Sequence, residues 1–130
     1  MTQTLLTRGE MERSLSQSVQ AFYRHRLGCR IKKVSCHIID NKLAIAIENS
    51  ITPLEKLLLD NDSGFVKDLR DRIDDIVKQE LICTIETILG VKIAALSVGT
   101  TLDNGLTGVV ALLEQKPEMR NLKRFNSHGT

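Results

Sequence analysis

The longest helical pattern in this 130-residue chain lies within residues 51–89, which read ITPLEKLLLDNDSGFVKDLRDRIDDIVKQELICTIETIL. From Phe65 onward, apolar residues recur at spacings of three and four for about six turns. Gly90 follows, and glycine commonly ends a helix because it accepts a left-handed backbone. The spacing therefore predicts one long amphipathic helix that supplies much of the core.

A shorter helix is predicted immediately before the long one. Thr52 is a favourable N-cap residue, Pro53 suits the first helical position, and Glu55 follows Thr52 by three residues. This combination is a capping box, in which each of the two side chains bonds the other residue's backbone N–H. The helix should end near Leu59, and Asp62 or the serine after it should cap the long helix.

Charged residues follow the polar side of the long helix. Acids and bases alternate there at spacings that support intrahelical ion pairs. A catalytic acid would need an apolar pocket to raise its pKa. We therefore interpret this side as solvent-exposed and salt-bridged. Its charged residues are Lys67, Asp68, Arg70, Asp71, Asp74, Asp75 and Lys78.

The remaining elements are one helix and two strand pairs. Asp40-Asn41 and Asn104-Gly105 are turn signals between the strands of each pair. The predicted order α-β-β-α-α-β-β indicates an α+β fold, with a four-stranded, mostly antiparallel sheet and helices on one face. The predicted bounds are Arg8–Leu27 for the helix and 34–39, 43–48, Val91–Val98 and Leu106–Leu113 for the strands.

Helices on one face of a sheet leave its other face exposed unless another chain covers it. Ala44 and Ala46 make part of that face small and uncharged. Such alanines fit a partner surface and a plain exposed hairpin equally well. Dimerisation with twofold symmetry is the simplest way to cover the face, so we expect a homodimer.

The length and composition of the chain fit one domain, and its cysteine content fits a reduced compartment. We expect flexible segments at 1–7 and 116–130, the latter basic, on either side of a domain at 8–115. The three cysteines form no CxxC pair, which favours a cytoplasmic protein without disulfides. The opening residues lack an apolar signal core, and no apolar run approaches the roughly 20 residues of a membrane span, so no membrane insertion is expected.

The sequence contains no recognisable catalytic motif. It has neither a phosphate-binding loop nor a GxSxG nucleophile elbow. Zinc would need three or four converging ligands, whereas Cys36 and His37 point to opposite faces of a predicted strand. We therefore expect a non-enzymatic protein without catalytic residues, metal or cofactor.

A run of five formal positive charges without an acid lies at residues 24–33, here called the basic run. It is a candidate surface for an acidic protein partner or for phosphates, but the net charge of +2 and the four aromatic residues make nucleic acid the less favoured partner. The start of the short helix and the loop at 99–105 are a second candidate anion site. The candidate contacts are Arg24, Arg26, Arg30, Lys32, Lys33, Thr52, Thr100 and Thr101.

Several sequence blocks resemble the MpsC-like family in the same order. Ile51–Leu57 resembles the family's LTPxEKxL block, and Ser63–Arg70 resembles the block that follows it. Arg8–Glu10, Leu27–Arg30 and Ile88–Lys92 resemble further family segments, so the resemblance covers about residues 8–113. The family commonly has an acid after its third strand, where this chain has Gly99-Thr100.

The resemblance implies a small cytosolic α+β protein. It also implies association with a membrane-potential-generating and bicarbonate-uptake system as its soluble component. We therefore expect a cytoplasmic accessory or regulatory protein that acts through protein contacts and is linked to ion or inorganic-carbon transport. The alternatives are a sensor of a small anion or nucleotide, and a nucleic-acid-binding regulator that uses the basic run.

Overall fold

The computed structural model describes residues 5–120, which form three helices and one four-stranded sheet. The sheet order is β1-β2-β4-β3 and all neighbouring strands are antiparallel. The predicted α+β fold and element order are confirmed. The elements are α1 (Arg8–Arg26), β1 (Lys33–Ile39), β2 (Lys42–Glu48), α2 (Pro53–Leu59), α3 (Ser63–Leu89), β3 (Ile93–Thr101) and β4 (Leu106–Leu113).

Local signals fix where the helices begin and end. The capping box predicted at α2 is present, because the Glu55 N–H donates to the Thr52 hydroxyl and the Thr52 N–H donates to the Glu55 carboxylate. Asp62 caps α3, and Gly90 ends it in the left-handed conformation at φ 69°. A second capping box, which was not predicted, joins Thr7 to Glu10 at the start of α1.

The core lies between the helices and one face of the sheet. Both α1 and α3 pack their apolar stripes against alternate residues of the strands. Leu15 and Val19 of α1 and Ile85 of α3 are almost completely buried, as are Leu43 and Ile47 of β2. The core is largely aliphatic, and the sheet is covered by helices on this face.

The two ends of the described chain meet near the start of α1. The Arg120 N–H donates to the carbonyl oxygen of Leu6 at 2.8 Å, and its guanidinium lies 3.6 Å from the Glu10 carboxylate. Residue 120 therefore lies beside the first turn of α1. The predicted flexible segments 1–7 and 116–130 lie mostly outside the described residues.

Candidate functional site

Arg70 lies at the centre of a buried polar network between α2, α3 and the sheet. Its side chain is 3% exposed, and its Nε donates to Glu55 Oε2 at 2.7 Å while Nη2 donates to Glu55 Oε1. Glu55 is completely buried. This bidentate pair joins α2 to α3. The prediction that Arg70 belongs to an exposed, salt-bridged helix side is therefore wrong.

Asp74, one turn further along α3, is the second acid of the network. Its Oδ1 accepts a hydrogen bond from Arg70 Nη1 at 3.2 Å, and its carboxylate accepts one from the Thr100 hydroxyl at 3.1 Å. It too was predicted to be solvent-exposed, and this prediction is also wrong. By contrast, Asp68, Asp71 and Asp75 are exposed as predicted.

The spacing along α3 explains why these two residues are buried. Arg70 and Asp74 follow Val66 at intervals of four, and Val77 and Leu81 continue the same stripe at intervals of three and four. The stripe faces the rest of the protein over its whole length. Because both residues are charged, they were predicted to be solvent-exposed. The helical period instead places both side chains in the interior of the protein.

Hydroxyl groups extend the network to the strands. Thr100 of β3 and Thr107 of β4 share a hydrogen bond of 2.7 Å, as do Thr107 and Ser50. The Ser50 carbonyl accepts hydrogen bonds from Arg70 Nη2 at 2.9 Å and from the Cys29 thiol at 3.2 Å. The network therefore ties the β3–β4 hairpin to α2 and α3.

The two buried acids have opposite pKa shifts. Burial alone would raise the pKa of Glu55, but the hydrogen bonds from Arg70 and Thr52 outweigh it and lower that pKa. For Asp74, burial dominates and raises the pKa, although Arg70 and Thr100 partly offset it. Burial also raises the pKa of the Cys29 thiol to about 11. The arrangement offers charge compensation within the fold, with a neutral thiol at its edge.

Tyr23 of α1 reaches the same region from the helical layer. Its side chain is fully buried, and its hydroxyl has no hydrogen-bond partner among residues 5–120. Burial, followed by the nearby charge of Asp74, raises its pKa further above the ordinary value. Tyr23 therefore contributes a neutral phenol to the region.

The predicted contact residues fall into three places. Thr52 and Thr100 both belong to the polar network, where their hydroxyls bond the protein's own carboxylates Glu55 and Asp74. Thr101 is the last residue of β3, and its hydroxyl donates to Asn104 in the turn that follows; the predicted loop at 99–105 is therefore wrong for residues 99–101, which belong to the strand. The five basic candidates lie apart from these, at the end of α1 and the start of β1: Arg24, Arg26, Arg30, Lys32 and Lys33.

The five cations of the basic run are exposed, whereas Cys29 and Ile31 between them are buried, and the charges are not equivalent. Arg26 forms an ion pair of 3.3 Å with Glu80 and lies 5.5 Å from the centre of the Phe22 ring. Arg30 instead lines a cleft of about 310 Å³ together with Lys56 of α2; its other lining residues are Gly28, Ile51 and Pro53. Neither cation of the cleft forms an ion pair with a carboxylate of residues 5–120.

The face of the sheet opposite the helices, here called the open face, is largely apolar or small. Ile39 and Val110 are 67% and 64% exposed on it, and Leu106 and Leu112 are about two-fifths exposed. The sequence indicated this face through Ala44 and Ala46. The larger apolar residues of the face were not predicted, although their alternation with buried residues is visible in the strand sequences.

A comparison with known protein families identifies the family of this chain. A family model described as "Na+-translocating membrane potential-generating system (MpsC)" matches residues 7–115. The chain therefore belongs to the MpsC family. Comparison with curated proteins and with solved structures found no match to this chain. No helix within residues 5–120 is long and apolar enough to cross a membrane, and no three His, Cys, Asp or Glu residues in that range are grouped to hold a metal ion.

Proposed function

We propose that this MpsC-family chain is a non-enzymatic accessory or regulatory protein of the cytoplasm that acts through protein contacts. Its role is linked to ion or inorganic-carbon transport, and it works as a homodimer. The family description, a sodium-translocating system that generates a membrane potential, supports the link to transport. The open face supports the mode of action.

The exposed apolar residues of the open face are the observation that carries this proposal. Water contact with apolar surface costs about 25 cal/mol per Å², so a contiguous apolar face is a favourable place for association. Val110 lies two residues from Leu112 along β4 and pairs with Ala44 of β2 in the sheet. The charged network described above, by contrast, is enclosed and has no large exposed group to offer a partner.

The basic run supports contact with an acidic partner surface. Arg30, Lys32 and Lys33 are exposed and make no ion pairs with carboxylates of residues 5–120. A charged surface of one sign steers association with the opposite sign and makes it sensitive to salt. It provides a second contact surface, beside the β1 edge of the sheet.

The test is cross-linking of a tagged chain in native membranes, followed by mass spectrometry. The proposal predicts enrichment of membrane subunits of an ion-translocating system, with marked loss of that enrichment for an Arg30→Glu/Lys32→Glu variant. Lys67→Glu, an exposed change on α3, serves as the matched control and should retain it. Recovery of the tagged chain without any transport subunit would contradict the proposal.

A second candidate function, the sensing of a small anion, is favoured by the cleft between Arg30 and Lys56. Two cations without carboxylate partners flank apolar surface from Ile51 and Pro53 there. Inorganic phosphate or bicarbonate should raise the melting temperature of the wild-type chain, and an Arg30→Gln/Lys56→Gln variant should lose the effect. Equal shifts in the wild-type chain and the variant would exclude the cleft as the site.

A further inference from the structure

We infer that the open face is covered by a second copy of this chain, with a twofold axis that runs across the strands. The inference rests on the proposed function, because it identifies the partner that covers the open face, one of the two contact surfaces on which that function depends. Its basis is the residue pattern of the face, which becomes complementary to itself under that rotation.

The strand register arranges the open face in four rows. From one end of the sheet to the other, each row crosses β1, β2, β4 and β3 in turn. The rows are Ile39, Lys42, Leu112, Ala95; then His37, Ala44, Val110, Ser97; then Ser35, Ala46, Gly108, Gly99; then Lys33, Glu48, Leu106, Thr101. The two middle rows carry mostly small side chains, and the two end rows carry the charges.

A twofold axis across the strands places each strand over the same strand of the partner, in the opposite direction. The first row then lies over the partner's fourth row, and the second over its third. Lys42 therefore faces the partner's Glu48, and Leu112 faces the partner's Leu106. In the middle, Val110 faces the partner's Gly108, where the missing side chain leaves room for it.

The other twofold axis, parallel to the strands, gives a poorer match. It exchanges β2 with β4 and keeps the rows aligned, so that Lys42 faces the partner's Leu112 and Glu48 faces the partner's Leu106. Each contact would bury a charged side chain against an apolar one. The charge would have no ion-pair partner, and such burial costs free energy. The axis across the strands also sets one charge against an apolar residue, because Lys33 lies over the partner's Ile39 at the β1 edge. On the central strands, however, it pairs Lys42 with the partner's Glu48, and this charge pairing selects the axis across the strands.

The face is large enough for a small dimer interface. With strands about 4.8 Å apart and about 3.4 Å of rise per residue, four strands of seven residues project onto roughly 19 by 24 Å. This flat projection, roughly 460 Å², is a little over half of the about 800 Å² per partner of a standard interface, and the accessible area of the corrugated face is larger than the projection. Two packed sheets lie about 10 Å apart, with strand directions about 30° from alignment, so the central rows match best.

The ten residues after 120 are the other candidate occupant of the open face. They read NLKRFNSHGT and contain two large apolar residues, Leu122 and Phe125. They also begin beside the first turn of α1, in the helical layer, since Arg120 contacts Leu6 and Glu10 there. A second copy offers a better apolar match to the face than this polar segment does.

The test is a charge exchange measured by sedimentation at several protein concentrations. The wild-type chain should be a dimer. Lys42→Glu and Glu48→Lys should each weaken dimerisation by about tenfold or more, because each places like charges together twice per dimer. The double variant should recover most of the affinity. Lys67→Glu should behave as the wild type, and circular dichroism checks that every variant is folded.

Three results would overturn the inference. A wild-type chain that is a monomer at all concentrations tested would exclude it. Failure of the double variant to recover would exclude the axis across the strands. Removal of residues 121–130 should leave the dimer intact, and its loss would assign the contact to the tail. The proposed link to transport is tested separately by membrane cross-linking, so either proposal can fail alone.

Discussion

The two faces of the β3–β4 hairpin have the reverse of the polarity expected from their exposure to solvent. The helix-covered face carries the hydroxyls of Thr100 and Thr107, which join a buried arginine and two buried acids. The uncovered face carries Val110, which is largely exposed, and Leu112, which is about two-fifths exposed. Polar groups lie inside at one end of the sheet, and apolar groups lie outside.

This inversion separates two roles within the same strands. The buried polar groups are bonded to one another and specify how α2, α3 and the hairpin fit together. The exposed apolar groups have no such partners among residues 5–120 and are available for association. Perturbing the first set should change stability, and perturbing the second should change assembly with little change in the stability of the single chain.

The largest expected effect follows from removing Arg70. Arg70→Met should lower the free energy of unfolding by about 3–5 kcal/mol, because Glu55 would remain buried without its cation. Urea denaturation at a fixed protein concentration measures this. The exposed neighbour Arg72 is the matched control, and Arg72→Met should cost less than about 0.5 kcal/mol.

The double variant Arg70→Met/Glu55→Gln sharpens this prediction. It removes the uncompensated charge, so it should be more stable than Arg70→Met alone. A loss below about 1 kcal/mol for Arg70→Met, in the range of a surface substitution, would show that the network does not hold the fold together.

A smaller effect is expected at the hydroxyl that links Asp74 to the sheet. Thr100→Val keeps the shape of the side chain but removes a hydrogen bond to a buried carboxylate, which should cost about 1–3 kcal/mol. Thr101→Val, the next residue on the opposite face, should cost much less because its hydroxyl is exposed. Equal losses at the two positions in thermal or urea unfolding would contradict the difference between the faces.

The pH dependence of stability should show the opposite shifts of the two acids. The pKa of Glu55 is lowered from 4.5, so its contribution is complete above about pH 4.5 and is lost as the pH falls through the folded-state value. The pKa of Asp74 is raised from 3.8, so its contribution favours the folded state at the acidic end and is lost as the pH rises.

Substitutions at the two acids separate these contributions. Glu55→Gln should lose stability less steeply than the wild type on acidification below pH about 4.5, and Asp74→Asn more steeply. Unfolding free energies measured from pH 6 to pH 3 provide the slopes. Changes of the same sign in both variants would show that the two acids do not oppose each other.

Much of the fold was predictable because it rests on local signals. The apolar spacing of α3, its end at Gly90 and the capping box at Thr52 and Glu55 each depend on residues within a few positions of one another. The Asp40 turn is also local, and Asp40 adopts a left-handed conformation at φ 60°. Such features predict elements and their order, which the structure confirms.

The polar network was not predicted because its contacts are distant in the sequence. Glu55 and Arg70 are 15 residues apart, and Asp74 and Thr100 are 26 apart. Charged residues in a helix are usually solvent-exposed, and only the helical stripe through Val66 indicated otherwise. Sequence spacing located the positions, but the partners that make burial of charge tolerable depend on tertiary packing.

The most direct test of the open face as the contact surface is the mass of the wild-type chain and of Val110→Glu in solution, measured by light scattering. The wild type should be a dimer and Val110→Glu a folded monomer, because a charge at the centre of the open face would be buried in the dimer without a partner. A wild-type monomer, or a Val110→Glu variant that remains a dimer, would show that the open face is not the contact surface.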